Sequence, residues 1–306
     1  MTATLITTVY NEEKNITDFL ASIAGQSKLP DEVVIVDAAS TDRTYALITD
    51  FSAMHPELHL KLIKKAGNRS VGRNTAILNS LSPIIACTDA GCRLDKDWFR
   101  NITRPFESGN AEVVSGWYET VKNNSWDISL SKVLNFSPKN VRPESFLPST
   151  RSIAFTKTVW EKAGGFDERL SHNEDTPFAL ELHKSTSRFV FASDAVVRWH
   201  VPHNYSTLYR SIYRYALGDG QSGVYSSQYW ILLSFWLMLI ACLSIGFPIH
   251  AFWIFGIIIV LGYLYLPVIQ AKRLDSVHEL LLIPLQKCTI ILANTAGFIK
   301  GLFTKI

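Results

Sequence analysis

Apolar residues in the first third of the chain come in short runs at nearly constant intervals, near Leu5 (LITTV), Glu32 (EVVIVD), Leu58 (LHLKLI) and Ile84 (IIACT). Short apolar, β-branched runs bounded by polar residues predict buried parallel strands. Between them the period becomes helical. Ile16 to Ala24 sets Ile16, Phe19, Leu20 and Ile23 three and four apart; Asp42 to Phe51 is entered through Ser40-Thr41; Ser70 to Leu81 carries Val71, Ala76, Ile77 and Leu81. Helices with one apolar face, alternating with strands, predict repeated βα units and an α/β fold built on a doubly wound, mostly parallel sheet.

Each strand run stops at ligand-capable groups: Tyr10-Asn11-Glu12, then Asp37, then Lys64 to Arg69, then Asp89. Asp89 by itself, followed by Ala90 and Gly91, reads as an ordinary turn former. Four such termini on one rim read differently, because ligands of open α/β sheets bind outside the carboxyl ends of the strands. Small Ala90 and flexible Gly91 leave room there for a diphosphate and a divalent cation. No GxGxxG follows the first strand and no GxxxxGK[ST] occurs, which argues against a dinucleotide-binding enzyme and a P-loop NTPase. A second acidic centre, Asn173-Glu174-Asp175, follows Gly164-Gly165-Phe166-Asp167 at a predicted helix start, where carboxylates also serve as caps.

Composition divides the chain. Hydrophobic residues make up 47% of its 306 residues, and from Gly220 to Ala271 there is no Lys, Arg, Asp or Glu. Residues 229–246 and 249–270 are each long enough for a membrane helix, with Gly246-Phe247-Pro248 as the turn. Arg210 and Arg214 precede this hairpin and Lys272 and Arg273 follow it, which by charge bias puts the preceding domain in the cytoplasm. A third apolar segment, 280–303, contains Pro284, Lys287 and Asn294 and is expected to lie at the membrane interface. The expected division is 1–220, with halves 1–116 and 117–220, and a membrane region 221–306. A net charge of +3 without a basic run argues against nucleic acid as a partner. The four cysteines form no CxxC pair and fit reduced, packed thiols, and the N-terminus shows no signal-peptide pattern.

Less regular residues follow. Trp126, Leu130, Val133 and Leu134 share one helical face, fitting either core packing or an interfacial helix; Phe136, Lys139 and Arg151 lie beyond them. Arg210 and Arg214, and Tyr209 and Tyr213, form adjacent stripes one turn apart. GDGQSG, Gly218 to Gly223, reads as a flexible loop ahead of the membrane.

Taken in order, VYNEEKNI, VVIVDAASTDRT, VGRNTAI, CTDAGCRLDKDWF and GGFDERLSHNED resemble the family 2 glycosyltransferases, which have the GT-A fold. The resemblance covers roughly residues 4 to 218. It implies an inverting transfer from a nucleotide-diphosphate sugar, UDP-linked; the poor match of Tyr213-Arg214-Tyr215 to the Gln-x-x-Arg-Trp motif of processive members points to transfer of one sugar, and the membrane hairpin to a lipid-linked or membrane-proximal acceptor. It implies that Thr8, Tyr10, Glu12 and Asp37 hold the nucleotide, that Arg73, Asn74, Asp89 and Ala90 face the same site, and that Asp175 is the base with Glu174 orienting it. Asp89 would begin a metal motif for Mn²⁺ or Mg²⁺, with His200 as a further ligand, and Arg151, Arg210 and Arg214 would contact acceptor or phosphate. Two departures stand out: Ala38 and Gly91 occupy positions where the family commonly has acids. They leave open an alternative, a non-catalytic nucleotide-sugar-binding membrane subunit.

Overall fold

The computed structural model describes residues 1–134, 141–142, 146–224, 226–246, 251–270 and 274–306. Phe136, Lys139, the Phe247-Pro248 turn, Lys272 and Arg273 lie outside the described residues. Two compact units divide the chain, one of residues 1–119 and 137–200, the other of 120–136 and 201–306. Residues 120–136 and 201–220, expected to belong with the catalytic domain, thus group with the C-terminal helices.

In the first unit, β1 (Ala3–Val9), β2 (Glu32–Asp37), β3 (Leu60–Lys64) and β4 (Ile84–Cys87) run parallel in the order β3-β2-β1-β4. Val9 lies opposite Asp37 and Asp37 opposite Lys64, so three strands end level with one another. The strand order reverses between β1 and β4, which opens the crevice where such sheets take ligands. Helix α1 (Ile16–Ala24) buries the four residues its periodicity selects. Helices α2 (Thr44–Met54) and α3 (Arg69–Asn79) complete the repeated units. Two positions differ from expectation. Leu58 closes a short 3-10 turn begun at Pro56, so β3 starts at Leu60, and α3 ends at Asn79, which leaves Leu81 89% exposed.

The sheet is parallel only in this half. Strand β5 (Cys92–Leu94) pairs antiparallel with β8 (Phe189–Trp199), and β7 (Ile153–Thr156) pairs antiparallel with both β4 and β6 (Val113–Thr120). The mostly parallel sheet expected from sequence is therefore a mixed one. Periodicity identifies a buried strand but not the direction in which it runs. Helices α4 (Trp98–Thr103), α6 (Lys157–Lys162) and α7 (Asp175–Ser185) belong to the same unit, and Trp98 and Phe99 of α4 are fully buried.

The second unit comprises α5 (Ser125–Leu134), α8 (Tyr205–Ser222), α9 (Ser226–Gly246), α10 (Ala251–Gln270) and α11 (Glu279–Leu302). Helix α5 packs inside this unit. Its Trp126 indole donates to the Pro202 carbonyl at 2.6 Å and meets the Tyr205 ring edge to face, Lys132 bridges Asp275 at 2.9 Å and buried Glu279 at 2.6 Å, and Leu130 is fully buried. Of its apolar face Leu130 is packed away, while Trp126, Val133 and Leu134 are half-buried.

GDGQSG is not a loop. Helix α8 runs through it to Ser222, and Gly223 in the left-handed region at φ 72° ends the helix. Gly220 within it, and Gly301 of α11, serve close approach instead. A Cβ at Gly220 would lie 2.6 Å from the Phe298 carbonyl oxygen and 2.8 Å from the Gly301 Cα, and one at Gly301 would lie 2.5 Å from the Leu217 carbonyl oxygen. Side chains there would push the two helices apart. Within α9 and α10 the described apolar stretches are Tyr229–Cys242 and Gly256–Ile269, whereas α11 alone among the described helices is long and apolar enough to cross a membrane. The residue pattern, by contrast, predicts spans at 229–246 and 249–270 and an interfacial position for 280–303.

Replacing Gly220 by Val should therefore destabilise the second unit by about 1–3 kcal/mol through overpacking. Ser206→Ala, on an exposed position of the same helix, should stay within about 0.5 kcal/mol. Thermal unfolding of the full chain in detergent measures both.

Candidate active site

The strand ends are joined before any ligand is considered. After β1 and β2 two residues adopt left-handed backbone, Asn11 at φ 54° and Ala39 at φ 64°. The Asn11 N–H donates to Ser40 Oγ at 2.9 Å and the Thr41 N–H to Asn11 Oδ1 at 2.9 Å, so the two loops are fastened together. A non-glycine residue such as Ala39 pays for that backbone in strain, and such strain gathers at functional sites.

Expected nucleotide contacts fall along this rim in different states. Tyr10 is 57% exposed. Glu12 is half-buried, its pKa raised by burial against the opposing pull of Asn15 and Arg69. Thr8 packs beneath Gly72 of α3, where a Cβ would come within 2.5 Å of its methyl. Asp37 is wholly buried and its carboxylate accepts from the Ser40 hydroxyl and backbone N–H, so as it stands it closes a turn.

Helix α3 carries the residues that join the two acidic centres. Arg73 is buried, and its guanidinium donates to Asp89 Oδ1 at 2.9 Å with one nitrogen and to Glu174 Oε1 with the other. Asn74 does something the sequence did not suggest: its amide donates to the Phe166 carbonyl at 2.9 Å and to Glu168 at 3.0 Å, and its Oδ1 accepts the Phe166 N–H at 3.0 Å. Asn68 caps α3 by accepting from the Val71 N–H at 3.0 Å, and also donates to the carbonyls of Glu168 and Leu170 at 2.7 and 3.1 Å. One face of α3 thereby fixes the 166–170 loop, which leads directly into Asn173-Glu174-Asp175. Asn173 turns the chain at φ 55°, a conformation asparagine tolerates well, and Asp175 then opens α7.

Asp89 stands two residues beyond β4 with 35% of its side chain exposed, and Thr88 beside it donates to the Arg151 carbonyl at 2.9 Å. The Arg151 guanidinium lies over the Trp199 ring at 4.6 Å and the Tyr118 ring at 5.2 Å. Asp175 accepts a 3.2 Å hydrogen bond from the Ser149 hydroxyl, which in turn accepts from Arg151 Nη1 at 3.2 Å. Sequence reading missed Ser149 and Asn68. A capping pattern marks Asn68, whereas nothing local marks Ser149.

The two aspartates are tuned in opposite directions. Burial works against the ionised form of Asp89, but Arg73, Arg151 and Arg69 outweigh it and hold its carboxyl below the ordinary aspartate range. At Asp175 burial, reinforced by the neighbouring charge of Glu174, prevails over Arg151 and Arg73, and its pKa is raised. An ionised acid beside a second whose proton affinity is enhanced is an arrangement suited to binding at one and proton transfer at the other.

Among the described residues no three His, Cys, Asp or Glu side chains cluster to hold a metal. A cation here would rest on Asp89, with His200 as the second expected donor, and otherwise on a ligand's phosphates. Arg73 is bonded to only one Asp89 oxygen, and His200 is exposed, one residue beyond the Trp199–Cys92 pair of β8 and β5. Gly91 leaves open space, with no atom within 4 Å of where a Cβ would stand. Arg210 and Arg214 lie exposed on α8, in the second unit.

Known proteins share the fold that carries these residues. Glycosyltransferase AglE of Haloferax volcanii is 24% identical over 253 residues, covering 77% of this chain and 83% of its own. The mannosyltransferase PcManGT from Pyrobaculum calidifontis, solved with GDP-Man and Mn²⁺, superposes with a TM-score of 0.67 at 20% identity over 99% of this chain and 88% of its own. S. aureus TarS 1–349, solved with UDP-GlcNAc, superposes with a TM-score of 0.55 at 20% identity over 72% of this chain and 70% of that one. These likenesses establish the fold. Residues 4–165, more than half of the sequence, match the family profile described as Glycosyl transferase family 2, and the chain belongs to that family of enzymes.

Proposed function

We propose that the protein moves one sugar, with inversion, from a UDP-linked donor to a hydroxyl or phosphate of a lipid-linked or membrane-proximal acceptor at the cytoplasmic membrane face, in glycan, polysaccharide or glycolipid synthesis. The observation that carries this reading is Arg73, which holds Asp89 at the strand ends and Glu174 next to Asp175 in a single cluster. Relatives support the donor class, since the solved neighbours contain UDP-GlcNAc or GDP-Man. Large apolar side chains exposed on α9 and α10, among them Trp230, Ile231, Leu237, Ile257 and Ile269, support residence in a bilayer, as does the length of α11. The exposed Arg210 and Arg214 are suited to lipid or acceptor phosphates.

The chemistry assigns each group one task. Thr8, Tyr10, Glu12 and Asp37 line the strand ends that take the nucleotide, with Ala90 leaving space for the diphosphate. Asp175 accepts the acceptor hydroxyl proton as that oxygen bonds to the anomeric carbon. The bond from carbon to the diphosphate breaks on the opposite face, and the departing oxygen keeps the electron pair. Glu174, held by Arg73, fixes the approach to Asp175. Arg69 and Arg151, whose charges reach Asp89, stabilise the negative charge that grows on the leaving group. A divalent cation held by Asp89, His200 and the donor's phosphates would supply further positive charge.

Full-length protein in detergent, given UDP-sugars or GDP-mannose with a polyprenyl phosphate or glycolipid acceptor, should form a transferred product. Asp175→Asn should lower kcat by about 10²- to 10⁴-fold while nucleotide binding persists. Failure of every donor and acceptor pair, or full activity in that variant, would refute the reading. Because the base must be ionised and its pKa is raised, activity should fall as the pH drops through a value above the ordinary aspartate range, which a pH–rate profile measures. Restoring a carboxylate with Gly91→Asp, into space already open, should lower several-fold the Mn²⁺ concentration needed for half-maximal binding in the presence of UDP, read by calorimetry.

A further inference from the structure

The segment 146–152 enters the site without belonging to any motif, yet it is pinned on every side. The Phe146 ring lies 5.4 Å from Phe191 and 6.2 Å from Trp117, and the Phe146 carbonyl pairs with His183 Nε2 at 3.0 Å. The Arg151 carbonyl is held by Thr88, the residue before Asp89, and the Ser152 N–H closes back on the Ser149 carbonyl at 3.0 Å. Ser152 Oγ accepts from the buried Trp98 indole at 2.8 Å and donates to the Ala195 carbonyl at 3.0 Å. The turn that carries Ser149 is thus set by anchors on both sides.

At its apex the Ser149 oxygen accepts from the Arg151 guanidinium at 3.2 Å and backbone N–H at 3.4 Å, and its own proton goes to Asp175 Oδ2 at 3.2 Å. Arg151 cannot drift away, because it lies over the rings of Trp199 and Tyr118. A hydroxyl that accepts from a cation becomes a stronger donor, as chains of hydrogen bonds polarise one another. We infer that Ser149, polarised by Arg151, is a positioning residue that ties down Oδ2 of Asp175 and leaves Oδ1 aimed at the acceptor hydroxyl. This rests on the reading of Asp175 as the base. It gives the stretch between the two acidic centres a task that neither its composition nor its periodicity displays.

The consequence can be read on Asp175 itself. The charged groups that act on it are Glu174 on the same turn, Arg151 from the turn before β7, Arg73 from α3 and Asp89 beyond β4. A hydrogen bond donated by Ser149 favours the ionised carboxylate, so its removal raises the pKa still further. Aspartate-labelled full-length protein in detergent, titrated by carbon NMR with the Asp175 signal assigned by its loss in Asp175→Asn, supplies the measurement. Ser149→Ala should shift that titration upward by about half to one pH unit, while Ser149→Thr, which keeps the hydroxyl, should restore it. Affinity for UDP and GDP, measured on the same samples, should be unchanged.

An unshifted titration in a folded Ser149→Ala variant overturns the proposal, as does a tenfold loss of UDP or GDP affinity, which would place Ser149 on the donor side. If Ser149→Ala unfolds, an Asp175 titration in Ser149→Thr unlike that of the native protein overturns it, and a native one upholds it. The two readings fail separately. Full transfer activity in Asp175→Asn removes the base assignment, whereas an inactive Asp175→Asn beside a fully native Ser149→Ala removes only the role of Ser149.

Discussion

A guanidinium with 2% of its side chain exposed must be paired, and the pairing of Arg73 with Asp89 and Glu174 is the constraint on which this site depends. A lone charge at that depth would cost several kcal/mol, so each carboxylate holds Arg73 in place and is held by it. Asp89 comes from the end of the parallel half of the sheet and Glu174 from the loop entering α7. These segments are far apart in sequence, and the ion pairs bring them within one side chain of each other. Burial of Arg73 also allows the acids to differ. The arginines overcome desolvation at Asp89, whereas at Asp175 desolvation and the charge of Glu174 prevail.

The surrounding fold explains why such a cluster is stable. Gly72 lets α3 settle onto Thr8 of β1, which sets the depth of the helix, and Asn68 and Asn74 then hold the 166–170 loop by backbone hydrogen bonds. Three polar residues within two turns of one helix, Asn68, Arg73 and Asn74, therefore fix both Asp89 and the loop that leads into Asp175. The clasp of Asn11 with Ser40 and Thr41 does the same for the ends of β1 and β2.

Much of this was legible in the residues, and the reasons are specific. Buried parallel strands must be apolar on both faces, so β1, β2 and β4 appear as uninterrupted runs, and the one-sided burial of α1 appears as its spacing. Asp89, Glu174, Asp175 and Arg73 were identified because each lies in a motif with a fixed order. The antiparallel strands were not legible, because alternation does not encode direction. The glycines of GDGQSG read as flexibility, yet Gly220 serves the contact of α8 with α11, since a packing glycine looks the same as a hinge until its partner helix is known. Asn74 and Asp37 read from sequence as donor contacts, whereas their bonds go to the 166–168 loop and to Ser40. Ser149 had no signal at all, its meaning being set by Arg151 and Asp175 in space.

A double-mutant cycle between Arg73 and Glu174 tests the central claim most directly, with the unfolding free energy of the full chain in detergent as the readout. If one buried ion pair unites the two halves of the site, Arg73→Met and Glu174→Gln should each destabilise by about 3–5 kcal/mol, and the double variant should cost less than their sum by at least about 1.5 kcal/mol. Strictly additive losses would mean that the two side chains do not depend on each other, and the account of a single site built around Arg73 would be wrong.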